Sequence, residues 1–397
     1  MSRRRNPETP APEPAERPGA SDGSERAKAV GLVSGGLDST LAAEMMSRQG
    51  MDVTGLYFST GFCKTDHRRA VQRAKDQDPE RLRNEALRAG AEGGFPVEIV
   101  DVSEEYLQEV VLHPKHGYGQ HINPCIDCRI FMLRKAKDYA DAMGAETVFT
   151  GEVIGQRPFS QYRSALRLIE EQSGLEGRLL RPLSAKHLDP TRAESEGRLD
   201  RESLGELNGR SRRGQEQLAR DYGIGTFPQP SGGCCFLADA TYARRFKELV
   251  AHVGKDGIDR EQVLLLKVGR QFRLSARAKL HVGREEAENR FLHRFAPGRW
   301  TVEALGIEGP IGIIGGDPED ADLETAAAII ARYADRDMPE VKVALCRYLP
   351  AASRIHPVSE DPDNDESEDA REQPPLAERR VVHAVALDPL SLEKMRL

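Results

Sequence analysis

The chain has 397 residues, 39% hydrophobic and 30% charged, which is long enough for more than one buried core. Its formal net charge of -7 excludes recruitment of nucleic acid by global charge, so any RNA site must be a local basic patch. No apolar run approaches the roughly 20 residues of a membrane helix, the start has no apolar signal core, and six cysteines are too few for a disulfide scaffold; the expected setting is a reducing cytosol.

Residues 1–27, rich in Pro and Arg, read as a disordered tail. From 28 to 240 strands alternate with helices. Ala29–Val33 reads as a buried strand, Asp38–Gln49 as a helix that Gly50 ends, and Asp52–Phe58 as a second strand. A charged helix from about His67 to Ala89, a strand at Val97–Val102 and a helical stretch at Ser103–Leu112 follow. Arg129–Met143 puts Ile130, Leu133, Ala136, Ala140 and Met143 on one helical face, and Thr147–Thr150 is a further strand. This alternation predicts an α/β domain: a parallel Rossmann-like sheet with helices on both faces and ligands at the carboxyl ends of its strands. A polar stretch at 189–217 interrupts it as a long helical insertion or a lid. Residues 241–355 predict a smaller α+β domain. Its expected strands are Val263–Leu266, Phe272–Leu274, Lys279–Val282, Ile311–Ile314 and Val341–Cys346, and its expected helices Ala287–Phe295 and Leu323–Ala334. Residues 356–380 read as an acidic linker and 381–397 as a C-terminal segment.

The string Val33-Ser34-Gly35-Gly36-Leu37-Asp38-Ser39-Thr40 follows a strand and opens a helix. Its two glycines permit a tight turn with N–H groups aimed at an anion, and the helix N-terminus adds its dipole. Ser34 and Ser39 can donate to phosphate. Asp38 is misplaced beside an anion unless Mg²⁺ bridges the two. No lysine of the Walker type is present. The string resembles the pyrophosphate loop of the PP-loop ATPase superfamily. That likeness implies ATP cleavage to AMP and pyrophosphate, with nucleotide held by Ser34, Gly35, Gly36, Asp38, Ser39, Gly151 and Glu152.

Asn123-Pro124-Cys125-Ile126-Asp127-Cys128 stands just before the Arg129–Met143 helix, and Gly232-Gly233-Cys234-Cys235-Phe236-Leu237 supplies two more thiols. Thiols three residues apart at a helix start can ligate one metal centre, and the dipole with Arg129 favours thiolate. Together with the loop, these segments resemble the tRNA thiolation enzymes of the PP-loop superfamily, the 2-thiouridylases and 4-thiouridine synthases. Gly151-Glu152-Val153-Ile154-Gly155-Gln156-Arg157-Pro158, with Ser160 and Gln161, resembles the 4-thiouridine synthase-like branch. The likeness implies an ATP-dependent RNA sulfurtransferase that adenylates a tRNA uridine oxygen and replaces it with sulfur from an external donor. Asp38, Cys125, Cys128 and Cys235 are the expected catalytic residues.

Two chemistries fit the thiols. Either Cys235 carries a persulfide that Cys125 or Cys128 resolves, or Cys125, Cys128 and Cys235 (or Cys234) hold a [4Fe–4S] cluster, the favoured reading. A Zn²⁺ site completed by His113, His116 or His121 is a third. Cys63 and Cys346 read as ordinary cysteines.

Between Lys267 and Trp300 nine Lys or Arg stand against three acids. The alternation of Arg273, Ser275, Arg277 and Lys279 puts basic side chains on one face of a strand or hairpin, suited to phosphate contact. Arg270, Arg273, Arg277, Lys279 and Arg284 are the expected RNA contacts. Lys267–Arg290, with His281-Val282-Gly283-Arg284, resembles the NFACT-R RNA-binding domain. Two other functions fit parts of this pattern: a PP-loop enzyme of small molecules (amidation or sulfur insertion), and a nucleotide-regulated RNA-binding protein with a structural metal centre.

Overall fold

The apolar run after residue 27 is strand β1 (Lys28–Leu32), the centre of a five-stranded sheet. With β2 (Asp52–Ser59), β3 (Val97–Asp101), β4 (Thr147–Thr150) and β5 (Leu179–Leu180) it forms the order β3-β2-β1-β4-β5, and every pair is parallel. Successive strand side chains point to opposite faces, so Ala29 and Val30 enter different cores. The helix Cys125–Met143 covers one face through Ile130, Leu133, Ala136 and Ala140, and the helix Leu37–Arg48 covers the other through Leu41, Met45 and Met46. The fold is thus α/β and Rossmann-like, as the alternation predicts. Leu32 and Thr150, at the carboxyl ends of β1 and β4, are register partners. The segments that follow them emerge side by side where the strand order reverses, the usual ligand position in such sheets.

The computed structural model describes residues 26–72, 84–225, 227, 235–334, 338–350 and 375–397. Nearly all of the expected N-terminal tail, most of the acidic linker, Cys234 and the middle of the expected helix His67–Ala89 lie outside these residues. The described ends of that helix are Lys64–Gln72 and Glu85–Gly93.

Residues 189–217 do not form one long helix. A capping box between Thr191 and Glu194 starts a one-turn helix, Arg192–Ser195; a 3₁₀ turn at Arg201–Ser203 and the helix Arg213–Asp221 follow. Ala193, Leu199 and Leu204 are few, but all three are buried in the core beside Leu41, which docks the segment on the sheet.

The helix Ala240–Val253 packs Tyr242, Ala243, Phe246 and Leu249 into the core that contains Ile130. Val263–Leu266, expected as a strand, is helical instead (Arg260–Leu265, capped at Leu266). Asp259 and Gln262 form a reciprocal capping box, and that local bonding outweighs the strand-like apolar run. The boundary expected at 240/241 therefore precedes two helices whose side chains serve the first core.

The second sheet begins at β6 (Arg270–Arg273) and continues through β7 (Ala278–Val282), β8 (Trp300–Ala304), β9 (Ile311–Gly316), β10 (Val341–Tyr348) and β11 (Leu376–Ala384). Its order is β11-β10-β8-β9-β7-β6, antiparallel throughout. The helix Asp320–Ala334 packs on one face and Glu286–His293 on the other. Strand β11 starts inside the expected linker, where its charged side chains mask it, and a last helix spans Pro389–Met395.

Candidate functional site

The loop after β1 is built to leave donors open. Gly35 has φ +72°, and a Cβ there would strike the backbone of Glu85, so only glycine makes this turn. Gly36 caps the helix Leu37–Arg48 without a side-chain bond, leaving first-turn N–H groups for a ligand. The hydroxyls of Ser34 and Ser39 lie 3.3 Å apart, and Ser39 Oγ donates to Gly36 O at 2.9 Å. Asp38 Oδ2 accepts from Gln156 Nε2 at 3.0 Å, whereas Oδ1 is buried with no hydrogen-bond partner. An unsatisfied buried carboxylate oxygen is costly, and beside an anion loop it fits a Mg²⁺ ligand.

Gly151 follows β4 and lies directly against this loop. A Cβ on it would stand 2.5 Å from Asp38 O and Ser39 N. Glu152, 2% exposed, accepts from Arg181 Nε at 3.2 Å and Thr150 Oγ1 at 3.1 Å through Oε2, and its Oε1 lies 3.3 Å from Arg129 Nε. Burial opposes its charge, but Arg129 and then Arg181 hold its pKa below the ordinary carboxylate value. Arg181 also reaches Glu170 Oε2 at 3.0 Å and Leu166 O at 3.2 Å. Arg129 is the residue after Cys128. The anion loop, Gly151–Glu152 and the thiol-bearing helix are therefore one connected structure.

Cys125 and Cys128 occupy the first turn of their helix, one turn apart on one face, and its N-cap, Pro124, gives no side-chain bond. Buried Asp127 accepts from the N–H groups of Lys115 (3.1 Å) and His116 (2.9 Å) and pairs with His116 Nδ1 (3.0 Å), which folds the preceding loop over the helix start. Cys235 pairs as a β-bridge with Cys63, and its Sγ lies 3.8 Å from Asn123 Oδ1. The second thiol segment thus rests on the first. Among the described residues no three His, Cys, Asp or Glu side chains are already gathered as metal ligands. Two thiols at one helix start and a third on a segment touching Asn123 are nevertheless a donor set that suits a [4Fe–4S] centre. His113 Nδ1 is engaged with Gln108 O and His116 Nδ1 with Asp127, while His121 sits at φ +60°. Burial and then Asp66 push the Cys63 thiol up to about 11, which keeps it protonated.

The five basic residues expected at RNA divide in two. Arg273 and Lys279 are register partners in β6 and β7 and both bind Glu248, Lys279 at 3.0 Å, in a part-buried triad. Arg277 is exposed and pairs with Asp317 and Glu319. Arg270 lies 4.5 Å over the Tyr333 ring, and Arg284 donates to Gly269 O at 2.9 Å. Gln161 serves the fold: its Oε1 accepts from Arg157 N and its carbonyl from Gly155 N, which positions Gln156. Gln156 and Asn123 stand inside the two motif strings, where their amide side chains carry no signal of their own. Arg181 gives no local signal, because its role arises only when β5 pairs with β4.

A parallel sheet with an uncapped, serine-lined loop at its switch point defines an α/β fold whose loop is suited to a phosphate group. Residues 24–189 match the family model for the thiamine biosynthesis protein ThiI, and residues 269–367 match the NFACT protein RNA-binding domain. The tRNA-specific 2-thiouridylase MnmA of Methylobacterium nodulans is 26% identical over 235 residues, 58% of this chain and 56% of the relative. That of Methylobacterium sp. strain 4-46 is 24% identical over 343 residues, 84% of this chain and 81% of the relative. The chain thus spans little more than half of the first relative. Among solved structures, the U34-tRNA thiolase NcsA of Methanococcus maripaludis with its [4Fe-4S] cluster aligns at a TM-score of 0.29 and 16% identity, covering 62% of this chain and 74% of that one. The chain is thus similar to tRNA-thiolation enzymes over its first sheet and to the NFACT protein RNA-binding domain over most of its second.

Proposed function

We propose that this protein is an ATP-dependent RNA sulfurtransferase that adenylates a uridine oxygen of tRNA and replaces it with sulfur. The reading rests above all on Glu152: Gly151 beside it abuts the anion loop, and Arg129 on its other side leads to Cys128. Activation and sulfur delivery can therefore share one site.

A uridine oxygen is a poor leaving group. Attack of that oxygen on the ATP α-phosphorus forms an O–P bond and expels pyrophosphate, so AMP becomes the later leaving group. Sulfur at the thiolate level then attacks the base carbon, and AMP departs with the original oxygen. Ser34, Gly35, Gly36 and Ser39 bind the phosphates, and the open N–H groups stabilise charge on departing pyrophosphate. Asp38 Oδ1 would hold Mg²⁺, which would neutralise phosphate charge there. Cys125, Cys128 and Cys235 hold the sulfur-transfer centre; a [4Fe–4S] cluster bound there would supply a coordination position for sulfide brought by an external donor. Such thiols require a reducing compartment such as the cytoplasm. Among the described residues no helix is long and apolar enough to cross a membrane.

The test is mass spectrometry of nucleosides from bulk tRNA in cells whose only copy is Cys235→Ala. Loss of one thiolated uridine is expected. An unchanged profile rejects the reading, and ATP–pyrophosphate exchange without RNA would point to a small-molecule substrate.

A further inference from the structure

A cavity of about 490 Å³ lies where the first core meets the second sheet. Its wall includes Phe236, the residue after Cys235, and carries five Lys or Arg against three acids. The acids do not neutralise it evenly. Asp239 is bound to Lys64 at 3.2 Å, and Glu288 Oε2 accepts from the backbone N–H of Arg284 rather than from its guanidinium.

Among the described residues, two guanidiniums in this wall form no salt bridge, and Glu288 and Asp239 act on Arg245 only through longer-range charge. Arg245, only 5% exposed, donates to Leu266 O at 2.9 Å and Gly269 O at 3.0 Å, and its Nε has no hydrogen-bond partner. Arg284 donates to the same Gly269 oxygen at 2.9 Å. Two cations thus converge on one neutral carbonyl. Burial, and next the charge of Arg284, lower the Arg245 pKa to about 10. Buried charge of this kind is strongly unfavourable unless an anion completes it. Paired, forked donors match the oxygens of a phosphate group.

We propose that this cavity seats a backbone phosphate of the RNA substrate on Arg245 and Arg284. This rests on the sulfurtransferase reading for its choice of RNA, since the cavity shares Phe236 with the Cys235 segment. The bound phosphate flanks the nucleotide to be modified and fixes the strand against the thiol centre. A free phosphate or a mononucleotide would satisfy the same chemistry.

The test uses the full-length protein and the variants Arg284→Gln and Arg245→Lys. Fluorescence anisotropy follows a labelled tRNA transcript across a salt series, and calorimetry follows inorganic phosphate and AMP in parallel. Each variant is expected to bind RNA roughly tenfold more weakly, as for the loss of a hydrogen bond to a charged group. The slope of log affinity against log salt should fall by about one in Arg284→Gln, which removes a charge, and stay near the wild-type value in Arg245→Lys, which keeps it. ATP affinity should stay unchanged, because the loop at Ser34–Ser39 is untouched. Arg284 is largely exposed, so Arg284→Gln carries the test if Arg245→Lys does not fold. Unchanged RNA affinity and salt slope in Arg284→Gln overturn the proposal. So does loss of phosphate or AMP binding with RNA binding intact, which would assign the cavity to a free ligand. Cys235→Ala separates the two readings: a variant tRNA profile that never changes removes sulfur transfer, while the arginine effects on RNA binding stand or fall alone.

Discussion

Replacing Glu152 by Gln removes one negative charge from between Arg129 and Arg181 and leaves the shape nearly unchanged. Breaking a buried ion pair at one partner costs about 3–5 kcal/mol. Two features place this site at or below the low end. Arg181 keeps Glu170, and Arg129 is 26% exposed and can turn toward water. The expected loss is about 2–3 kcal/mol, equivalent to a melting temperature lower by roughly 4–12 °C. The pH dependence has a fixed sign. The folded-state pKa of Glu152 is depressed, so its contribution is complete above the unfolded carboxylate value, near about 4.3, and is lost as pH falls through the folded value. Thermal unfolding followed by circular dichroism should therefore show a gap between wild type and Glu152→Gln at neutral pH that narrows on acidification. A gap that is absent at neutral pH, or that widens in acid, would refute the idea that this carboxylate is a charged strut between the anion loop and the thiol helix.

Gly151→Val should weaken ATP binding about tenfold or more in calorimetry, because overpacking strain of about 1–3 kcal/mol falls on Asp38 and Ser39. Wild-type affinity in that variant would mean that the nucleotide does not use this part of the loop. Cys63, with its thiol pushed up to about 11, should stay unmodified by iodoacetamide at about pH 8 in peptide mapping, where the group is protonated; rapid labelling would contradict the raised thiol pKa beside Asp66. Protein purified without oxygen should show a broad band near ~400 nm from thiolate-bound iron and sulfide, and Cys128→Ala should lose it. A colourless wild type carrying zinc would replace the cluster with a Zn²⁺ site.

Some of this site is legible in the chain because its signals are local. Ser34–Ser39 stands between an apolar strand and a helix, and the turn needs glycine where Gly35 takes a positive φ. The thiols at 125 and 128 sit at a helix start, and the helix is visible from Ile130, Leu133, Ala136 and Ala140. What the chain hides is non-local. Arg273 and Lys279 look like a basic face, but Glu248, on a helix far back in sequence, draws both inward. Val263–Leu266 has strand-like composition, yet a cap formed by Asp259 and Gln262 decides for helix. Strand β11 carries Glu378, Arg379 and Arg380 in a row at a sheet edge, where much of its surface meets water and composition reads as linker. Arg181 matters only through pairing of β5 with β4 and the burial of Glu152.

The position of Cys235 is set by several long-range ties rather than by its neighbours. Phe236 N donates to Phe62 O at 2.9 Å, just past β2, and Ile122 N donates to Leu237 O at 3.3 Å, just before the thiol helix. Asp239 caps the helix Ala240–Val253 and binds Lys64. Lys267, three residues before the second sheet, bonds Gly61 O and lies over the rings of Phe62 and Phe236. One short segment therefore joins the exit of a strand of the first sheet, the loop that carries Asn123, and the approach to the second sheet. Close-packed contacts of this kind pass small displacements on instead of absorbing them. Under the proposed function, an RNA strand held at the second sheet would press on the same aromatic pair that holds Cys235. On that proposal, packing rather than a hinge would set the separation between the thiols and the strand.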